Sequence, residues 1–133
     1  MRKTIITTLS LILLFIFLVP KYTELNNVMI IDGIGIIKNK DTYTVYLREI
    51  IPKKTDNGLT YTYKIYENTA KSILDSINNI EKKSKKTLYL KQVKILVTNY
   101  DSNKIKKELK LKTKLVYHTN NVKNKLKKSK IYS

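Results

Sequence analysis

An almost unbroken apolar run from Ile5 to Val19 constrains this chain most, because it withdraws the N-terminus from any ordinary globular core. It is preceded by Met1-Arg2-Lys3 and closed by Pro20-Lys21, and a short basic region followed by an apolar stretch is the layout of a signal sequence. The run is a little short of the roughly 20 residues that span a bilayer comfortably, but Thr4, Thr7, Thr8 and Ser10 are mild enough to extend it. A buried core helix is the alternative; the terminal position, the missing polar face and the basic flanks favour the membrane. A signal peptidase site needs small residues just past the run, and Leu18-Val19-Pro20-Lys21-Tyr22 offers none. Residues 1–21 therefore read as a membrane-targeting helix that stays attached as an anchor. Arg2 and Lys3 are expected on the cytoplasmic side, with everything after Tyr22 outside the cytoplasm.

The remaining length suits one small domain without repeats, and the absence of cysteine removes disulfides and lipid attachment at a thiol. The net charge of +17 is unevenly placed: from Tyr100 onward eleven lysines face only Asp101 and Glu108. Such a segment is attracted to anionic surfaces. Within it Leu109, Leu111 and Leu115 alternate with lysines as in a strand, while Lys123 to Lys130 shows no apolar period. Residues 101–133 are expected to be a lysine-rich tail, disordered over the last dozen positions.

Between these ends the pattern is that of alternating strands and one helix. Val28 to Ile37, rich in β-branched residues, reads as a strand buried on both faces. After a turn at Lys38–Asp41, Thr42 to Ile51 forms a second strand with Tyr43, Val45 and Leu47 on one face and Thr44, Tyr46 and Arg48 on the other. Pro52 is expected to end it, and Lys53 to Gly58 to form a loop. Leu59 to Tyr66 alternates as a third strand. Asn68 or Thr69 would cap a helix whose buried stripe is Ala70, Ile73, Leu74, Ile77 and Ile80, with Lys82, Lys83, Lys85 and Lys86 at its end. Leu88 to Thr98 is a fourth strand whose pattern stumbles at Lys91-Gln92. The expected fold class is α+β: a small sheet of about four strands with one covering helix, in the order β-β-β-α-β, over residues 22–100. A unit of that size has little core and would gain from packing on something else.

No catalytic, cofactor-binding or metal site can be assembled. His118 is the only histidine, and a zinc site needs more. Asp32 and Glu49 could meet across neighbouring strands, but two solvated or salt-bridged carboxylates are the simpler reading. Gly33-Ile34-Gly35 invites a dinucleotide-binding reading, yet the third glycine is replaced by Lys38 and no helix follows. The two glycines instead allow another backbone or a bulky side chain to come close. Nucleic acid is not expected as a partner, since the basic tail lacks interleaved aromatics and the anchor holds it outside the cytoplasm. Anionic lipid suits it better.

The stretch Glu24-Leu25-Asn26-Asn27-Val28-Met29-Ile30-Ile31-Asp32-Gly33-Ile34-Gly35-Ile36 resembles the start of the Ger(x)C family, the C subunits of bacterial nutrient germinant receptors. Thr42–Pro52 is similar to the family's next strand, Thr69–Ile80 to its helix, and Leu88–Val97 to its Leu-Tyr…Lys-x-x-x-Val segment. The resemblance covers Glu24 to Asn99. It implies a non-enzymatic, membrane-associated subunit, acting in spore germination on the outer face of the spore's inner membrane. Its partners would be integral-membrane receptor subunits of the A and B types, and small nutrients are not expected to bind this chain directly. The chain departs from the family in lacking a lipid-bearing cysteine, in having Tyr22 where a tryptophan is usual, and in its continuation after Asp101. A natural short form and a truncated remnant both fit these departures. A reading from another class is a small membrane-anchored cationic protein that binds anionic lipid or polymer surfaces through the lysine-rich tail.

Overall fold

The computed structural model describes residues 1–18 and 27–129. Its first element is the helix α1 (Arg2–Leu18), 17 residues with exposed apolar side chains such as Ile5, Leu9 and Phe15. The threonines that dilute the run satisfy themselves inside the helix: Thr7 Oγ1 donates to Lys3 O at 2.7 Å and Thr8 Oγ1 to Thr4 O at 2.6 Å. Among the described residues no helix is long and apolar enough to cross a membrane. Val19 to Lys21, the polar approach and the Glu24–Asn26 start of the resemblance lie outside the described residues.

From Val28 the chain builds an α+β unit around a mixed sheet of six strands. These are β1 (Val28–Lys38), β2 (Tyr43–Thr55), β3 (Gly58–Ala70), β4 (Thr87–Tyr89), β5 (Ile95–Thr98) and β6 (Leu115–His118). Among the described residues three further helices complete it: α2 (Ile73–Ser84), α3 (Ser102–Leu109) and α4 (Val122–Lys128). The spatial order is β3-β2-β1-β5-β6, with β4 also on β1. β2 is antiparallel to β1 and β3, whereas β4, β5 and β6 run parallel to their neighbours. The starts of β1, β4, β5 and β6 therefore point toward one end, here called the base, with β4 beginning level with Val28 and β5 and β6 level with Gly33.

The apolar run of β1 hides a change of phase. Met29 and Ile31 share one core with Ile34 and Ile36, positions of opposite parity. A bulge between Ile31 and Gly33, in the pairing with β2, resets the pleat so that both pairs reach the same face. The stumble expected at Lys91-Gln92 lies opposite that bulge. There the anticipated strand Leu88–Thr98 is divided into β4 against Val28–Ile30 and β5 against Gly33–Ile36, and Lys94 N donates to Asp32 O at 2.9 Å across the break.

Several boundaries differ from the sequence reading. Pro52 does not end β2, which runs to Thr55 and pairs throughout with β3. β1 has no partner residue below Glu49, so Pro52 stands where a missing N–H costs no ladder bond to β1. The expected loop shrinks to Asp56-Asn57, with Gly58 at φ +119° closing the turn. β3 extends past Tyr66 to Ala70 because β2 offers partners as far as Tyr43, so neither Asn68 nor Thr69 caps a helix and Ala70 is not in it. Ser72 is the cap, its hydroxyl accepting from Asp75 N at 3.0 Å. Ile73, Ile77 and Ile80 are buried as expected, but Leu74 is 49% exposed.

The lysine-rich segment departs furthest from its expected form. Residues 102–128 form α3, β6 and α4 and pack on the sheet, so the expected sheet of four strands under one helix becomes six strands and three helices beyond α1. Lys123–Lys130 lacks an apolar period because α4 needs only two anchors, Val122 and Leu126, both fully buried. The disorder expected from Val122 onward does not hold for 122–128; residues 130–133 lie outside the described ones.

Candidate functional site

The two faces of the sheet are covered differently. On one face α2 and α3 bury Ile73, Ile77, Ile80 and Ile105 against Ile34, Ile36, Val45, Leu47 and Leu96. On the other α4 alone lays Val122 and Leu126 on Tyr46, Ile95 and Val97. The alternation of β2 read from sequence is reproduced: Val45 and Leu47 face α2, Tyr46 and Arg48 face α4.

Gly33 and Gly35 are the seat of α4. A Cβ on Gly33 would lie 2.8 Å from Leu126 Cδ1, and one on Gly35 would lie 2.6 Å from Val122 Cγ1. The Gly-Ile-Gly segment is thus a close-approach site for side chains, as its residues imply, and the occupant is the helix that sequence reasoning left unformed.

Beside this seat stands a buried ion pair. Arg48 Nε donates to Asp32 Oδ1 at 2.8 Å and Nη2 to Oδ2 at 3.0 Å, with both side chains almost wholly buried. Nη1 donates to the carbonyls of Leu126, at 2.6 Å, and of Ser129. The guanidinium therefore caps the last turn of α4, where unpaired carbonyls gather, and lies 4.7 Å from the Tyr63 ring centroid. Burial of both charges is tolerated because the Asp32 carboxylate takes a bidentate bond and the carbonyls of Leu126 and Ser129 take the remaining guanidinium nitrogen.

On the opposite face Glu49 accepts from Tyr66 Oη at 2.9 Å and from Lys86 Nζ at 3.0 Å. Burial pushes the Tyr66 phenol up to about 12, with the Glu49 hydrogen bond and the negative charge of Glu49 adding to it. Asp32 and Glu49 do not meet: the bulge turns them to opposite faces, each with its own cation. At the far end of the sheet the Tyr100 ring lies under Lys38 Nζ, 4.5 Å from its centroid. Its phenol is held below the ordinary value, first by a hydrogen bond from Lys104. His118 is exposed at the end of β6. Among the described residues no three histidine, aspartate or glutamate side chains converge as metal ligands do.

What this geometry provides is a scaffold and surfaces. Of the buried polar groups, Asp32 and Arg48 hold α4 and Ser76 holds α2 to the sheet, while Thr44, Thr98 and Thr113 tie strands and loops to one another. The clamp was missed in the sequence because Arg48 and its acceptors on α4 are about eighty residues apart; the one signal was a charged residue at an inward position of a strand.

Comparison with known proteins adds identity. A family model described as the spore germination protein N-terminal domain matches residues 21–102. Among curated proteins and solved structures no match is found. The matched stretch holds β1 to β5, α2 and the first residue of α3, and with them Gly33, Gly35 and the Asp32–Arg48 pair. With well over half of its length matched, the chain belongs to the spore germination protein family of the Ger(x)C type, and residues 21–102 correspond to the N-terminal part of that family.

Proposed function

We propose that the chain acts as a non-enzymatic, membrane-associated subunit of a spore nutrient germinant receptor, on the extracytoplasmic face of the spore's inner membrane. The match to the family over residues 21–102 carries the reading, and a role in spore germination follows from it directly. The apolar helix α1 supports membrane attachment, since a helix that is apolar all round finds no place on a water-facing surface. The ionisable groups that are most buried are engaged in packing, which supports a role in assembly. Partners would be the integral-membrane receptor subunits of the A and B types. The deciding experiment deletes the gene and germinates spores in single nutrients, alongside pull-down of the tagged chain from spore membranes. Slowed germination with at least one nutrient, together with recovery of a multi-span subunit, is the expected result. Unchanged germination with every nutrient and no such subunit in the pull-down would end the proposal.

A further inference from the structure

Charge and topology coincide at the base of the sheet. The chain reaches the base from its N-terminal side at Val28, where β4 also begins, while the parallel β5 and β6 begin level with Gly33 and have their opening loops directed toward the same end. α2, α3 and α4 each connect back from the far end, and each carries lysines in its last turn. The loops that open β5 and β6 are tied together by Thr113 Oγ1, which donates to Lys94 O. Between them lies a groove of about 550 Å³ lined by Lys91, Lys94, Lys110 and Lys112 with Leu90, Val93 and Leu111, and by no carboxylate. The β2–β3 hairpin reaches the same end. Below the Ile31–Glu49 pair β1 has three residues left and β2 has six, so the tip overhangs the base and carries exposed Leu59 and Tyr61 beside Lys53 and Lys54. Asp56, Glu81 and Glu108 toward the base are outnumbered by its lysines, whereas the far end is more nearly balanced, with Asp41, Asp75 and Asp101 among its lysines.

Resting on the membrane-associated reading above, we propose that the base is a docking surface for an anionic bilayer. The groove lysines take phosphate-bearing lipid headgroups, and Leu59 and Tyr61 of the hairpin enter the interfacial zone. The occupant follows from continuity: the apolar α1 joins this end of the sheet, and the nine steps from Leu18 to Asn27 reach at most about 30 Å. A bilayer that holds α1 therefore lies within reach of the base. Lysines mixed with leucine and tyrosine are the composition an interface accepts, stems in the headgroup layer and charges on phosphate.

The chain contains no cysteine, so single labels report position. Lys112→Cys and Lys40→Cys are placed in the full chain, labelled with a fluorophore, and incorporated into phosphatidylcholine vesicles bearing a headgroup-linked quencher, with or without phosphatidylglycerol. The expected result is strong quenching at position 112 and little at position 40 in anionic vesicles. The difference should be lost without phosphatidylglycerol, and lost again in about 0.5 M salt, where the screening length falls to about 4 Å. Lys91→Gln with Lys94→Gln and Lys110→Gln should reduce quenching at 112 while the protein stays with the vesicles. Equal quenching at both positions, quenching at 112 that ignores lipid charge and salt, or protection of the 112 label by an oligonucleotide and not by vesicles would overturn the proposal. Failure to float with either vesicle overturns the membrane-associated reading and this one with it. Flotation with an unquenched 112 label overturns this one alone.

Discussion

Gly33 and Gly35 carry a sharper prediction than their absence of side chains would lead one to expect. Gly35→Ala drives a Cβ against a β-branched methyl of Val122 and the Cβ of Tyr46, whereas Gly33→Ala meets the movable tip of Leu126. Overpacking of this kind costs about 1–3 kcal/mol. Urea unfolding should place Gly35→Ala at the upper end and Gly33→Ala below it, and adding Val122→Ala should recover part of the Gly35→Ala loss. The Asp32–Arg48 pair behaves differently. Arg48→Met strands a buried carboxylate and should cost about 3–5 kcal/mol, while Arg48→Met with Asp32→Asn should cost less because no charge is stranded. Hydrogen exchange should show protection in α4 falling before that in α2, since Arg48 holds the last carbonyls of α4. Tyr66 supplies a pH prediction. The folded state keeps its phenolic proton up to about pH 12, against 10.0 for an ordinary phenol. Its contribution to stability is therefore complete below pH 10 and lost as pH rises from 10 to 12. Tyr66→Phe should flatten that part of the alkaline decline, as read by unfolding at stepped pH and by phenolate absorbance.

At the scale of elements, α4 is the informative case. Seven residues, four of them lysine, cannot sustain a helix in water, because nucleation costs more than so short a run returns. The helix exists because Val122 and Leu126 are buried, each burial worth about 1.5–3 kcal/mol, and because Arg48 caps its end. Ending the chain after Thr119 should therefore expose Tyr46, Ile95 and Val97 and remove a large part of a total stability that is typically about 5–15 kcal/mol. Loss of the cooperative melt by circular dichroism, or association by size-exclusion chromatography, is the expected outcome. A truncated chain that melts like the full one would show that α4 contributes nothing.

For the whole molecule, the thin core expected for residues 22–100 is completed by the chain itself. α3 adds Ile105 to the core that α2 covers, and α4 closes the other face. Unfolding should accordingly be one transition spanning both covers. Ile34→Asp and Ile36→Asp, which place a charge at fully buried positions of the central strand, should abolish it, and with it any complex with receptor subunits. The same arrangement returns three lysine-bearing helix ends to the base, so the uneven charge noticed along the sequence becomes a polarity in space.

The α+β class, the two faces of Thr42–Ile51, the Ile73–Ile77–Ile80 stripe of α2 and the family are all legible in the order of residues. These rest on local periodicity of two or 3.6 residues, or on an ordered series of short segments, and neither needs a distant partner. The same order shows that Gly33 and Gly35 leave room for something bulky. What fills that room is settled by the folded chain, which brings Val122 and Leu126 of α4 onto the two glycines. The anchors of α4 are two residues in a field of lysines, and their worth depends on a sheet face formed some eighty positions earlier. The extension of β2 through Pro52 likewise depends on its pairing with β1 having stopped at Ile31–Glu49 while that with β3 goes on, and the division of Leu88–Thr98 on a bulge in β1. Each of these is set by a neighbour distant in sequence, so no window of local residues could contain it.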